Sequence, residues 1–213
     1  MEKKYRLLEN DTITVGSGTL YRIEALKDFA NVKKGDKGGY IESEDNLSHI
    51  GNCWVSDNAE IYGNAYVSDN AEIYGNAEVY GNARVSDNAE IFGNAYVSDN
   101  TQVYGKARVC GNAEIYGNAR VSGNARVSDN AEVYGDAEVR STRDYVVLKN
   151  IWSSGRYFTY TRSNGMWKVG CFYGTGKELI EKAYKDSEVS GREYERVVRY
   201  VEAMYADLEN DKE

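Results

Sequence analysis

The sequence has no proline, one histidine and three cysteines. Without proline its turns fall to Gly, Asn and Asp, the residues that tolerate positive φ. Cys53, Cys110 and Cys171 are odd in number and lack CxxC spacing. Neither a disulfide framework nor a zinc knuckle is expected from them, and a reducing cytoplasm fits best. No apolar run reaches about 18 residues, and the start MEKKYRLLEND is charged with no apolar h-region. These absences predict a soluble, cytoplasmic protein without membrane span or signal peptide. Positive charge is also short, and unevenly so: the net charge is −8, with 9 acids and 8 bases over residues 1–50, 13 and 6 over 51–140, and 12 and 12 over 141–213. The middle carries the acidity, which argues against direct nucleic-acid binding.

What the middle contains is a period. From Gly51 to Arg140 a six-residue unit of the type GNAEIY repeats fifteen times without insertion. Its fifth position is always Val or Ile; its third is Ala except at Cys53 and Thr101; its first is Gly or Asp; its second is Asn except at Lys106 and Asp136. Six-residue periods mean β-solenoids. Side chains alternate along a strand, so the third and fifth positions point inward and the fourth and sixth outward. The Gly-Asn or Asp-Asn pair reads as a corner, with Asn the expected holder of the left-handed conformation. Three units make a coil of about 18 residues, and fifteen give about five coils in a rod on the order of 24 Å long.

The flanks read differently, which divides the chain into 1–50, 51–140 and 141–213. In the first part YRLL (5–8), TITV (12–15) and TLYRIEAL (19–26) are expected as short strands separated by END and GSG turns, a cap over the open end of the solenoid. Lys33, Lys34 and Lys37 around Gly35 read as a solvated loop. The last part reads as a small α+β domain: a meander of three strands (144–150, 156–162, 166–173), then the short helix GKELIEKAYKD. A longer helix follows, with Ser190 as N-cap and a core stripe of Tyr194, Val197, Val198, Val201, Met204, Tyr205 and Leu208.

The stretch VYGNARVSDNA resembles the [LIV]-x-x-x-[STAV]-x hexapeptide of left-handed β-helices, the fold of many bacterial acyltransferases. KDFANVKKGDKGGYIESEDNLSHIGNCWVSDNAEIYGNA, residues 27–65, is similar to the entry segment of a YdcK-like family of bacteria and phages whose members are often labelled acetyltransferases. DYVVLKNIWSSGRYFTYTRSNGMWKVGCFYGT resembles the module that follows such repeats in prophage proteins of Gram-positive bacteria. The fold class expected is therefore mainly β: a left-handed parallel β-helix of about five regular coils, an N-terminal β cap and a small C-terminal α+β domain. The resemblance implies acyl transfer from acetyl-CoA, on this fold commonly by a histidine at an edge between subunits with a loop extruded from the coil. Here His49 is the only histidine, it lies in the irregular DNLSHI, and the fifteen units carry no extrusion. It is the one catalytic candidate, and a cap role is what its place predicts. The three zinc-binding histidines of γ-type carbonic anhydrases are excluded by count, and no metal or cofactor is expected. Among the thiols, Cys53 should be buried, Cys171 should lie within a strand, and Cys110 should be a surface thiol beside Arg108 without a His partner.

Sorting the outward positions by 18 gives three unlike faces. The first carries Glu72, Glu90, Arg108 and Arg126 beside Tyr74, Phe92 and Cys110. The second carries Glu60, Glu78, Tyr96, Glu114 and Glu132 beside Tyr62, Tyr80, Ser98, Tyr116 and Tyr134, and the third bears Arg84, Arg120 and Arg140. Stacked carboxylates repel, and tyrosine is enriched at protein interfaces. The function expected is that of a non-enzymatic phage or prophage binding or structural module in a bacterial host cytoplasm. Its second face would dock on the arginines of another copy, as a dimer or trimer, or on a basic host protein by mimicking nucleic acid, in the manner of a host-factor or defence inhibitor. The alternative is a hexapeptide-repeat acyltransferase using acetyl-CoA at His49 or at a site composed between subunits.

Overall fold

The computed structural model describes residues 2–210. The chain forms two compact units, Met1–Thr142 and Arg143–Glu213; residues 211–213, part of the span read as the C-terminal domain, lie outside the described residues.

The first unit is a parallel β-solenoid. Fifteen two-residue strands, β4 (Trp54–Val55) to β18 (Glu138–Val139), fall one per hexad. Each pairs in parallel with the strand 18 residues away, as Glu60 with Glu78 and Ile61 with Val79, so the expected coil length holds. The inward Ala and Val or Ile are fully buried throughout. Thr101 takes an Ala position, and its buried hydroxyl has no hydrogen-bond partner among the described residues.

The corners differ from the expectation. The left-handed residue is the first of each unit, Gly or Asp, not the Asn: Asp57, Asp69, Asp87, Asp99 and Asp129 have φ of 56–64°. At Gly75, with φ 78°, a Cβ would stand 3.0 Å from the backbone nitrogen of Gly93 in the next coil. Asp survives in this position because its carboxylate is used there. It accepts the N–H of the first-position residue one coil on, as from Gly75 to Asp57 (3.0 Å) and from Gly117 to Asp99 (2.8 Å). The Asn side chains instead run up the corners as amide ladders, Asn58 to Asn76 to Asn94 to Asn112 to Asn130, at 3.2–3.4 Å. An amide has both donor and acceptor and can pass the bond on, which a carboxylate, with acceptors alone, cannot.

The solenoid begins before Gly51. After the hairpin β1 (Tyr5–Val15) and β2 (Gly18–Ala25), strand β3 (Lys37–Ile41) pairs antiparallel with β2 and parallel with the strand at Glu60–Ile61, Ile41 lying opposite Ile61. Leu47 bridges Val67 in turn. Both offsets are 20, so this first coil carries two extra residues, which fall between Leu47 and Val55. Between strands 5–8 and 12–15 the expected END turn is a bulge within one long strand: Leu8 faces Arg22 and Thr12 faces Tyr21. Its Asp11 holds Arg22 at 3.2 Å and Lys37 at 2.9 Å, and these bonds keep its carboxyl below the usual range.

In the second unit the stretch 166–173 is a hairpin and not one strand. The order is β19 (Tyr145–Lys149), β20 (Tyr157–Thr161), β21 (Met166–Val169) and β22 (Phe172–Thr175), all antiparallel. Gly170, at φ 55°, opens the two-residue turn and leaves Cys171 exposed in it. Helix α1 (Gly176–Asp186) starts with a capping box of Thr175 and Glu178, and α2 (Glu188–Asn210) follows. Ser187, not Ser190, caps α2: its Oγ accepts the Ser190 N–H at 3.0 Å. The predicted stripe packs as core, Tyr194, Val198, Val201 and Tyr205 being buried with Phe158, Trp167 and Leu179.

Candidate binding face

The second face is one sheet, in which Glu60, Glu78, Tyr96, Glu114 and Glu132 stand in register on successive coils. Four carboxylates and no base occupy its outward fourth positions. Unit charges about 5 Å apart repel by roughly 1 kcal/mol in a water-like dielectric. A hydrogen bond to a charged acceptor contributes about as much or more, and tyrosines supply it. Tyr62 donates to Glu78 Oε2 at 3.2 Å and Tyr116 to Glu132 Oε2 at 3.0 Å, each reaching one coil on. The rings stack as they reach, Tyr62 on Tyr80 with centroids 5.0 Å apart and planes 3° from parallel, and Tyr116 near Tyr134 at 4.6 Å and 40°. Burial, with the adjacent carboxylates, pushes the Tyr62 and Tyr116 phenols above their ordinary range. Glu60 is pushed up by burial first and by Glu78 second.

The ring column is broken once. Ser98 stands where a tyrosine would continue it, and a notch of about 420 Å³ opens there, lined by Tyr80, Tyr96, Ser98, Asp99, Glu114, Ile115 and Tyr116. Ser98 is 7% exposed.

The other predicted residues are placed as follows. Arg120 and Arg140 both pair with Glu138, the former at 3.6 Å, on the third face; Arg84 lies on that face with Tyr66 and Gln102 as strand neighbours. His49 is 19% exposed, its Nδ1 accepts the Lys4 N–H at 3.2 Å, its Nε2 faces Glu44 at 3.4 Å, and its ring stacks on Tyr5. Both ring nitrogens are thus engaged in the cap. Lys33 and Lys37 are paired with Asp28 and Asp11. Cys110 corrects the expectation of a surface thiol: it is buried in the column below Phe92, whose ring and the Arg108 side chain fill that part of the face. Among the described residues no group of three His, Cys, Asp or Glu could hold a metal ion, and no helix is long and apolar enough to cross a membrane.

Residues 113–129 match the family model described as YdcK Beta solenoid repeat. That match, about one coil long, supports a YdcK-like β-solenoid. No curated protein matches the chain.

Sequence reasoning missed two parts of this face. Tyr40 continues the ladder beyond Glu60, and the Arg22 guanidinium lies over its ring at 4.2 Å, so the acidic face has a cationic end. The pair Tyr40–Ile41 has the outward-inward pattern of a hexad, but the two extra residues that follow hide its phase. The notch was visible as a gap in the Tyr column; its depth was not.

Proposed function

We propose that this chain is a non-enzymatic binding module of phage or prophage type, acting in a bacterial host cytoplasm by docking its Glu and Tyr face on a basic protein. The observation that carries this reading is the aligned face itself: two stacked pairs of carboxylates on either side of Tyr96, no base among them, and rigid aromatic rings beside them. Fixed rings lose little side-chain entropy on binding and suit an interface core. Carboxylates one coil apart, at roughly 4.8 Å, approach the roughly 3.4 Å charge spacing of one nucleic-acid strand. A protein that recognises a phosphate backbone would meet a comparable row of charges, and the face would inhibit it by mimicry. Self-assembly through the third face is the weaker form of the proposal, because Arg120 and Arg140 already answer Glu138.

The test compares the wild-type chain with a variant carrying Glu60, Glu78, Glu114 and Glu132 all changed to Gln. Proteins captured from host lysate by the wild type should be basic, be released by duplex DNA, and be missing from the variant. Equal capture by both chains would sink the reading. Sedimentation of the wild type and of a Tyr80→Ala, Tyr116→Ala double variant addresses self-assembly, which requires an oligomer that the double variant loses.

A further inference from the structure

We infer that the notch at Ser98 receives an arginine side chain of the basic protein partner, its guanidinium standing in for the missing ring between Tyr80 and Tyr116. The inference rests on the docking reading above and gives it a seat.

The solenoid shows what happens where an aromatic column stops. On the first face Tyr74 and Phe92 stack at 4.8 Å and 2°, and the column ends at Cys110. Arg108, on the strand of Cys110, lies over Phe92 at 5.2 Å and pairs with Glu90 at 2.9 Å. Arg22 repeats the arrangement at the cap, over Tyr40 and against Asp11. Ring, guanidinium and carboxylate thus meet twice inside this molecule. At Ser98 the ring and the carboxylates are present, and the fourth-position residue on that strand is Tyr96 instead of an arginine. Among the described residues that line the notch there is no guanidinium.

The dimensions suit the guest. One skipped rung separates Tyr80 from Tyr116 by two strand spacings, about 9.6 Å. Subtracting the half-thickness of each ring leaves room for a single planar group. A guanidinium is flat, stacks on aromatic faces and carries its donors at its edge; an ammonium is a compact, strongly hydrated point charge that cannot use two ring faces together. Those edge donors would meet Glu114 and Asp99, which line the notch. The floor is Ser98, a residue 7% exposed whose hydroxyl can accept from the guest. Charge selects a cation, and shape selects a flat one.

The probes are acetyl-Gly-Arg-Gly-amide and its lysine counterpart, titrated into the full chain by amide-resolved NMR. The arginine peptide should shift the amides of Tyr96, Ser98 and Tyr116 and bind about tenfold more tightly than the lysine peptide, the order of one cation–π and carboxylate contact. Ser98→Tyr, which restores the ring, should weaken the arginine peptide by about as much. Glu114→Gln, which leaves the notch open, should weaken it severalfold and serves if the first variant does not fold. Equal binding of the two peptides, or either variant binding as the wild type does, overturns the inference. If Ser98→Tyr still captures the basic proteins that the four-Gln variant loses, the notch is refuted and the docking face survives.

Discussion

The solenoid and the C-terminal unit both exclude water from an apolar interior, one with small repeated side chains and the other with large unlike ones. In the solenoid each level buries Ala and Val or Ile against the same residues 18 positions away. In the C-terminal unit Tyr194, Phe158, Trp167, Tyr160 and Tyr205 meet in turn, edge to face or tilted, around a single centre. A repeated core depends only on nearest neighbours, so the outward residues of the solenoid can vary at little cost to the fold. A single core offers no such repeated outer face. This is why a binding face is sought on the rod, and why its unequal ladders of Glu, Tyr and Arg carry more functional information than its uniform inside.

Substitutions sharpen the contrast, the largest first. Trp167→Ala should cost about 3–5 kcal/mol and remove hydrogen-exchange protection throughout residues 145–205. Ile91→Val in the rod should cost about 1 kcal/mol, with protection lost only in adjacent coils. Comparable spreading in the two cases would erase the distinction. Next, Gly75→Ala and Gly16→Ala both place a Cβ at positive φ, but only Gly75 is crowded by the next coil. Urea denaturation should give a loss of about 2 kcal/mol or more for Gly75 and about 1 kcal/mol for Gly16. Thr101→Val keeps the shape and deletes the unpartnered hydroxyl, so it should stabilise the rod by about 1 kcal/mol, read as a raised urea midpoint.

The smallest effect depends on pH. The Glu60 carboxyl is raised in the folded state, so the folded chain holds its proton more tightly than the unfolded one does. That contribution is fully present below the ordinary glutamate range and is lost as pH rises through the folded value. Glu60→Gln should therefore gain a few tenths of a kcal/mol at pH 7 and show no gain at pH 3. An unchanged difference between the two would mean that neither burial nor Glu78 raises the Glu60 carboxyl.

Where the period is strict, the sequence was readable down to register: Val or Ile inside, Glu above Glu, Tyr above Tyr. It misled where two residue types could do one job. Gly and Asp hold the left-handed corner while Asn bonds along the axis, and both roles suit the dipeptide equally until the coils are stacked. Glu9–Asp11 looked like a turn because bulges and turns use the same polar residues. Val169–Phe172 looked continuous because a single Gly does not announce a two-residue hairpin. For the candidate face, the aligned carboxylates followed from counting, whereas the Tyr-to-Glu bonds and the depth at Ser98 required side-chain reach, which spacing does not contain.

The coil of three hexads also sets how such a rod can change length. Duplicating one hexad would add about a third of a turn and rotate every later residue onto a neighbouring face, moving Glu114 and Glu132 out of line with Glu60 and Glu78. Only steps of 18 residues lengthen the row while preserving it, so the gene can extend this ruler in whole divisions or lose its scale.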